Sequence, residues 1–287
     1  VSKLQFVYLI LGSILAILFT VKSISGQKYN NLVENLDSEE YPLKSIYCVG
    51  FSWSSLPALK LKGKMQETLV GQAKLLHDSK YAEYYANVAW AQFLSFTHLS
   101  LTLGFLLAGI MNSGLMLLIG VAVAIVFGYY FLNRMNSLLK DRATECTSEL
   151  PEIVSTMALL INAGMMVRNA WRTIADSKEG TVYDLMKQSC SDMSNGMSEV
   201  DAIHRFGRLS NSAEVRKFTS ALTQSIECGG AELNNFLARQ SVEIWTLKKQ
   251  MMLQKGEAAS SELLAPTAML FIGIIIAVIT GALGMLI

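Results

Sequence analysis

The sequence predicts an all-α fold: a polytopic membrane protein with four transmembrane helices and a cytoplasmic helical bundle. Three observations predict it. Four uncharged apolar stretches are long enough to cross about 30 Å of hydrocarbon at about 1.5 Å per residue. Apolar residues recur at helical spacing in the segments between them. No alternating β-branched run of useful length occurs anywhere. The 287-residue chain is 52% hydrophobic and 16% charged, with a mean hydropathy of +0.36, whereas a soluble domain carries roughly 25% charged residues. That balance excludes a disordered chain, a collagen-like chain and a small disulfide scaffold. With 24 basic and 23 acidic residues the net charge is +1, so there is no electrostatic reason to expect nucleic acid as a partner.

In chain order, residues 1–22 form an N-terminal transmembrane anchor around the 18-residue span Leu4–Val21. A cleavable signal peptide is the alternative. No convincing small-x-small site follows, and the apolar run exceeds the usual core of such a peptide. Residues 23–89 form a cytoplasmic connector and amphipathic helix. Gly26, Pro42, Gly50 and Pro57 break the stretch up to residue 60 into irregular or short-helix structure. Leu61, Met65, Leu69, Leu76, Tyr84 and Val88 then place a helix over 61–89 that runs directly into the second span.

Residues 90–132 form a transmembrane hairpin of Trp90–Met111 and Leu115–Leu132, 22 and 18 residues long, joined by Asn112, Ser113 and Gly114. Gln92, Ser95, Thr97, His98 and Ser100 make the first half of Trp90–Met111 polar. This suits either the membrane interface or burial against neighbouring helices. Residues 133–262 form a cytoplasmic domain that reads as helical throughout. Leu150, Ile153, Val154, Met157, Leu160 and Ile161 share one face, with Pro151 expected in a first turn. Further faces follow at Val182–Met193, Val200–Phe206 and Val215–Ile226. The last and longest runs from Leu233 through Phe236, Leu237, Ile244 and Leu247 to Met251. Residues 263–287 form the fourth span, Leu263–Ile287, of 25 residues.

Basic residues orient the chain. Eight Lys and Arg lie in residues 22–89 and fifteen in residues 133–262; four spans put both segments on one side. The positive-inside tendency makes that side cytoplasmic, most strongly through Lys22, Lys28, Arg134, Lys140 and Arg142 near the span ends. Both termini then lie outside a cytoplasmic (inner) cell membrane crossed several times. Cys48, Cys146, Cys190 and Cys228 all fall on the reducing side and match no zinc or redox spacing.

Glycines punctuate the cytoplasmic domain. Gly164-Met165 is followed by Ala170, and Gly196-Met197 by Ala202, the same offset 32 residues later. Gly229 and Gly230 come next. Each is expected as a structural turn at a helix end, where a left-handed cap is favoured. A tetratricopeptide reading lacks its Trp and Tyr signature, so a compact bundle of helical hairpins is preferred.

From Glu149 onward the chain resembles the type II secretion system F-domain family. The carrying residues are Leu150-Pro151-Glu152-Ile153, then Leu159-Leu160-Ile161-Asn162-Ala163-Gly164 with Ala170. Glu227-Cys228-Gly229-Gly230 follows, and Lys255-Gly256-Glu257-Ala258-Ala259 leads into the last span. The single F-domain, the hairpin before it, the N-terminal anchor and Lys80-Tyr81-Ala82-Glu83-Tyr84-Tyr85 look most like the tight-adherence (Tad) pilus branch, TadC-like. Lys248-Lys249 departs from the pattern, since no arginine stands just ahead of it. The resemblance implies a non-enzymatic platform for pilus assembly or protein secretion. Its expected partners are a cytoplasmic hexameric secretion ATPase, pilin or pseudopilin subunits and membrane lipid, with a second platform protein or self-association also allowed.

The motif content agrees with a scaffold. There is no Gly-rich run ending in Gly-Lys-Ser/Thr, so ATP hydrolysis is expected in a partner. There is no Gly-x-Ser-x-Gly elbow and no His-Glu-x-x-His, and His77, His98 and His204 are not spaced with carboxylates as metal ligands. No catalytic, cofactor or metal residue is assigned. Arg205, Arg208, Arg216 and Lys217 form the best basic patch and are candidates for contact with the ATPase, against the alternative of a solvated helix end. His98 is the one ionisable group inside a span. It is either a pilin-facing polar contact or a proton-linked switch, or else a neutral imidazole hydrogen-bonded within the helix hairpin. The rival functional class is a transporter or channel subunit, which needs a polar pathway near the bilayer midplane; the apolar third and fourth spans argue against it.

Overall fold

The computed structural model describes residues 3–34, 36–37, 40–77, 79–228, 230–262 and 266–275. They divide into two compact units, Val1–Ala143 and Thr144–Ile287, and all regular structure among the described residues is helical.

The first unit contains α1 (Lys3–Gly26), α2 (Asn30–Glu34), α3 (Tyr47–Ser54), α4 (Gly63–Leu76), α5 (Ala82–Met111) and the first part of α6 (Gly114–Asn162). Three stretches, Leu4–Glu34, Ser79–Ile110 and Gly114–Asn162, are long and apolar enough to cross a membrane. The fourth predicted span lies largely outside the described residues, of which Pro266–Ile275 is a short apolar helix. On α1, Leu4, Ile10, Ile17 and Ile24 are exposed, as are Leu118, Ile125 and Val126 on α6. Apolar strips of that length match the surface a helix presents to hydrocarbon rather than to water.

Helix α5 is the centre of this unit. It runs antiparallel to α1, with Gly109 against Leu9, Leu106 against Gly12 and His98 against the Leu15 carbonyl. Its polar residues Gln92, Ser95, His98 and Ser100 are buried, so of the two expectations for that half, packing against neighbours is the one observed. The reversal into α6 uses Asn112 at φ 48°, with the Ser113 N–H bonded to the Ala108 carbonyl at 3.2 Å. Asn tolerates this left-handed position as a helix cap. The two hairpin arms meet at Gly104 and Gly120, where a Cβ on Gly120 would sit 2.5 Å from the Gly104 Cα. The Ser100 hydroxyl donates to the Gly120 carbonyl at 2.9 Å, a small-residue contact of the kind that lets membrane helices approach closely.

The helix expected over 61–89 is in fact two. His77 is extended, at φ −122° and ψ 175°, and a 3-10 turn at Ser79–Tyr81 separates α4 from α5. The apolar spacing continues across the break because α4 folds back against α5, with Leu69 and Ala73 buried beside Ala82 and Ala86.

The second unit holds the end of α6, then α7 (Val167–Ala175), α8 (Thr181–Ser194), α9 (Glu199–Leu209), α10 (Ala213–Cys228) and α11 (Gly230–Glu262). Its core gathers Ile153, Val154 and Met157 from α6, Trp171, Met186, Phe206, Phe218, Leu222 and Leu237. Trp171 packs edge-on to Phe206 at 5.1 Å and donates from Nε1 to the Ser189 hydroxyl at 2.7 Å. Pro151 lies inside α6, not in a first turn. The helix-forming run 133–150 leaves no signal at which a new helix would start, and one missing N–H is tolerated within a long helix. At 49 residues α6, rather than the 33-residue α11, is the longest helix among the described residues.

The two Gly-Met pairs are the same turn made twice. Gly164 and Gly196 have φ of 91° and 98°. The Met165 N–H reaches the Leu160 carbonyl at 3.0 Å, and the Met197 N–H reaches Asp192 at 3.0 Å. Each is a Schellman cap, and each is followed by a short helix whose Ala170 or Ala202 is fully buried. Gly230 is the first residue of α11. Gly229 lies outside the described residues. The α9–α10 reversal uses Asn211 at φ 56°.

Candidate functional site

The α9–α10 turn is pinned from three sides. The Ser212 hydroxyl accepts from the Val215 N–H at 3.2 Å, which caps α10, and donates to Glu214 Oε2 at 3.0 Å. With its proton spent on the carboxylate, it accepts from Thr147 Oγ1 of α6 at 2.7 Å. The buried Ser210 hydroxyl accepts from the Ser212 N–H at 3.2 Å. Helix α9 is capped at its other end by Ser198, whose Oγ accepts from the Asp201 N–H at 3.1 Å. This leaves the last turn of α9 and the first turn of α10 in a fixed relation, with Arg208 and Arg216 both exposed beside it.

The four basic residues separate into two kinds. Arg205 is committed to Asp192 on α8 at 2.9 Å, both partly buried. Lys217 reaches Glu243 on α11 at 3.3 Å as an exposed pair. Arg208 and Arg216 have no side-chain hydrogen bond or ion pair among the described residues. The patch is therefore two cross-helix ties and two uncommitted guanidiniums. Guanidinium groups present planar, multi-donor forks suited to carboxylates, so Arg208 and Arg216 are the members able to recognise an acidic surface.

Next to them, α6, α10 and α11 enclose an open groove of about 540 Å³. Leu150, Phe218 and Ile244 supply its apolar floor, while Glu214, Lys217 and Glu243 stand at its rim. Farther along α11, Trp245 is half-exposed, donates from Nε1 to the Ser155 hydroxyl at 2.8 Å and carries Lys248 over its ring at 5.1 Å. At the α8–α9 turn, burial pushes the Glu199 carboxyl up while Arg168 pulls it down. One oxygen each of Asp192 and Glu199 is buried with no partner among the described residues. No three His, Cys, Asp or Glu side chains among the described residues are grouped as a metal set.

His98 lies in the first unit. Its ring bonds Trp53 of α3 at 3.0 Å and the Leu15 carbonyl of α1 at 3.2 Å, and Phe19 meets it edge-on at 5.5 Å. Both ring nitrogens are engaged and the side chain is buried. Both nitrogens thus bond groups of the first unit, which makes the ring a tie between α1, α3 and α5. Sequence reading missed Ser212, Asn211 and Thr147, which set the geometry of the arginine pair. The signal was present as Ser210-Asn211-Ser212, a run of cap and turn residues between two apolar periodicities.

Residues 153–286 match the family model for Type II secretion system (T2SS), protein F. The matched segment takes in the end of α6, α7 to α11 and the apolar helix Pro266–Ile275. At family level the match supports a membrane platform protein of secretion or pilus machinery. No curated protein and no solved structure matches the chain.

Proposed function

We propose that this protein is a non-enzymatic inner-membrane platform of a type II secretion or type IV-like pilus assembly machine, of the tight-adherence (Tad) kind. On this reading the second unit is cytoplasmic and is engaged by a hexameric secretion ATPase that supplies the hydrolysis. The apolar helices meet pilin or pseudopilin subunits as these leave the bilayer. Four spans hold the chain, with both termini on the outer side.

One observation carries the reading. Helix α6 is unbroken from Gly114 to Asn162, so a stretch apolar enough to cross a membrane and the opening of the matched segment are one element. The basic residues nearest that apolar stretch, Arg134, Lys140 and Arg142, support the cytoplasmic assignment. The exposed Arg208 and Arg216 supply a surface that an acidic face of a motor would recognise.

The test is site-specific photocrosslinking in cells. Crosslinkers at positions 208 and 216 are expected to capture a secretion ATPase, and crosslinkers at Ile17 and Leu118 small pilin-like chains. Capture of a nucleotide-binding transporter subunit at those positions would overturn the platform reading. A reporter fused after Asn211 that reads out beyond the cell membrane would overturn the topology.

A further inference from the structure

Helix α6 changes character at a single point. The uncharged run ends at Leu132, and polar residues begin at Asn133. A concave surface of about 510 Å³ straddles that border. Val126, Tyr129 and Tyr130 line its apolar end, and Asn133, Ser137 and Lys140 its polar end. Both tyrosines are well exposed; aromatic side chains with a polar tip concentrate where hydrocarbon meets headgroups. From Asn133 to Lys140 the helix rises about 10 Å, enough to cover the headgroup layer of one leaflet.

The chemistry of the polar end is one-sided. No lining residue is acidic. Asn133 spends one amide N–H on the Tyr129 carbonyl at 3.0 Å and retains a second. Ser137 adds a hydroxyl donor, and Lys140 is exposed. Arg134 stands at the wall, held by the Glu40 carbonyl at 2.5 Å and over the Tyr41 ring at 4.8 Å. The Glu40 carboxylate, 3.8 Å away, offsets part of its charge. Residues 1–143 carry twelve Lys and Arg against eight Asp and Glu, whereas residues 144–287 carry twelve against fifteen. The excess positive charge thus lies in the unit that holds residues 115–132 and the proposed site.

We propose that this face of α6 is a binding site for an anionic glycerophospholipid. The lipid phosphate is held by Asn133, Ser137 and Lys140, and an acyl chain lies along Val126 and the Tyr129–Tyr130 pair. The inference rests on the reading of residues 115–132 as membrane-spanning. A lipid is favoured over free phosphate because half of the surface is apolar and continuous with a hydrocarbon-facing strip. It is favoured over a protein segment because the polar end is lined by Lys140 and Arg134 with no acidic side chain, the complement of a phosphate.

The test uses the full chain in detergent micelles, with native mass spectrometry counting retained phosphatidylglycerol against phosphatidylcholine. The wild-type protein is expected to retain phosphatidylglycerol selectively, and added inorganic phosphate not to displace it. Lys140→Gln should lower that retention about fivefold, and Lys64→Gln, an exposed lysine of the same unit, by less than about twofold. Val126→Trp should lower it without any change in charge, by filling the acyl end. Equal losses from both lysine variants would show a diffuse positive surface and overturn the site. So would displacement by inorganic phosphate, or a lipid-free dimer as the retained species. Release of the protein from membranes by alkaline carbonate would instead overturn the membrane reading on which the site depends.

Discussion

The indole N–H of Trp53 donates to Nδ1 of His98 at 3.0 Å, and this contact sets the state of the ring. Indole nitrogen donates only, so Nδ1 holds its lone pair, and Nε2 carries the proton offered to the Leu15 carbonyl at 3.2 Å. His98 is a neutral imidazole that ties α1, α3 and α5 together. Trp53→Phe keeps much of the packing but strands a buried acceptor, a loss of about 1–3 kcal/mol. His98→Ala removes both bonds. If the two residues act as one unit, the double variant will be less destabilised in detergent melts than the two single losses added together. Simple additivity would show that the contact contributes nothing.

His77 marks the corner between α4 and α5, stacked on Tyr85 with ring centroids 3.5 Å apart and planes 8° from parallel. Burial holds its pKa below the ordinary 6.5; Arg142 and Arg134 add to the lowering, and Glu40 opposes it. A base with a lowered folded pKa contributes stability that is complete above its unfolded value and is lost as pH falls through the folded one. Acidification below 6.5 should therefore loosen this corner, read as faster amide exchange in Gly63–Leu76. His77→Phe keeps an aromatic face on Tyr85 and should remove that part of the pH dependence. An unchanged pH profile in the variant would refute the assignment.

What could be read from the sequence follows from the range of each signal. The first three apolar runs, the tight reversal at residues 112–114 and the faces of α8, α9 and α10 are local patterns, and the helices lie where those patterns put them. Helix α7 escaped notice because nine residues hold few repeats of a helical period, although Ala170, Trp171 and Ile174 are all buried. Pro151 misled because a proline usually opens a helix, and the residues that keep α6 continuous around it are ordinary helix formers. The break at His77 was hidden by apolar spacing that tertiary folding reuses on both sides. The basic patch was legible as composition only. Which of the four basic residues are tied depends on Asp192 and Glu243, more than ten residues from their partners in the chain, and no local pattern reports that.

The paired Schellman turns make a prediction with an internal control. Gly164 and Gly196 hold positive φ, and a Cβ on either would meet nothing within 4 Å. The cost of substitution is thus purely conformational. Gly164→Ala and Gly196→Ala should each destabilise the protein by about 1–2 kcal/mol, whereas Gly164→Asn should lose less because Asn tolerates the left-handed region. Gly256 is helical and equally uncrowded, so Gly256→Ala should stabilise by up to about 1 kcal/mol. Denaturant or thermal midpoints in detergent check all four variants. If all three alanine variants move the midpoint in one direction, the conformational account is wrong.

Arg208 and Arg216 differ from Arg205 and Lys217 in a way that separates recognition from stability. Arg205→Ala strips the partner from partly buried Asp192, whose second oxygen already lacks one among the described residues, and should cost about 1–3 kcal/mol. Lys217→Ala breaks an exposed pair and should cost no more than about 1 kcal/mol. Arg208→Glu and Arg216→Glu touch no described ion pair, so each should leave the melting midpoint within about 0.5 kcal/mol of wild type. If the two arginines face an acidic surface of the motor, the double reversal will abolish co-purification of the ATPase while the protein still inserts and melts normally. Raising the salt concentration should weaken the wild-type association in the same direction, since exposed charge pairs are screened. Undiminished co-purification by the double reversal would remove this surface as the docking site, and co-purification lost only together with the melting transition would show that the residues act through the fold.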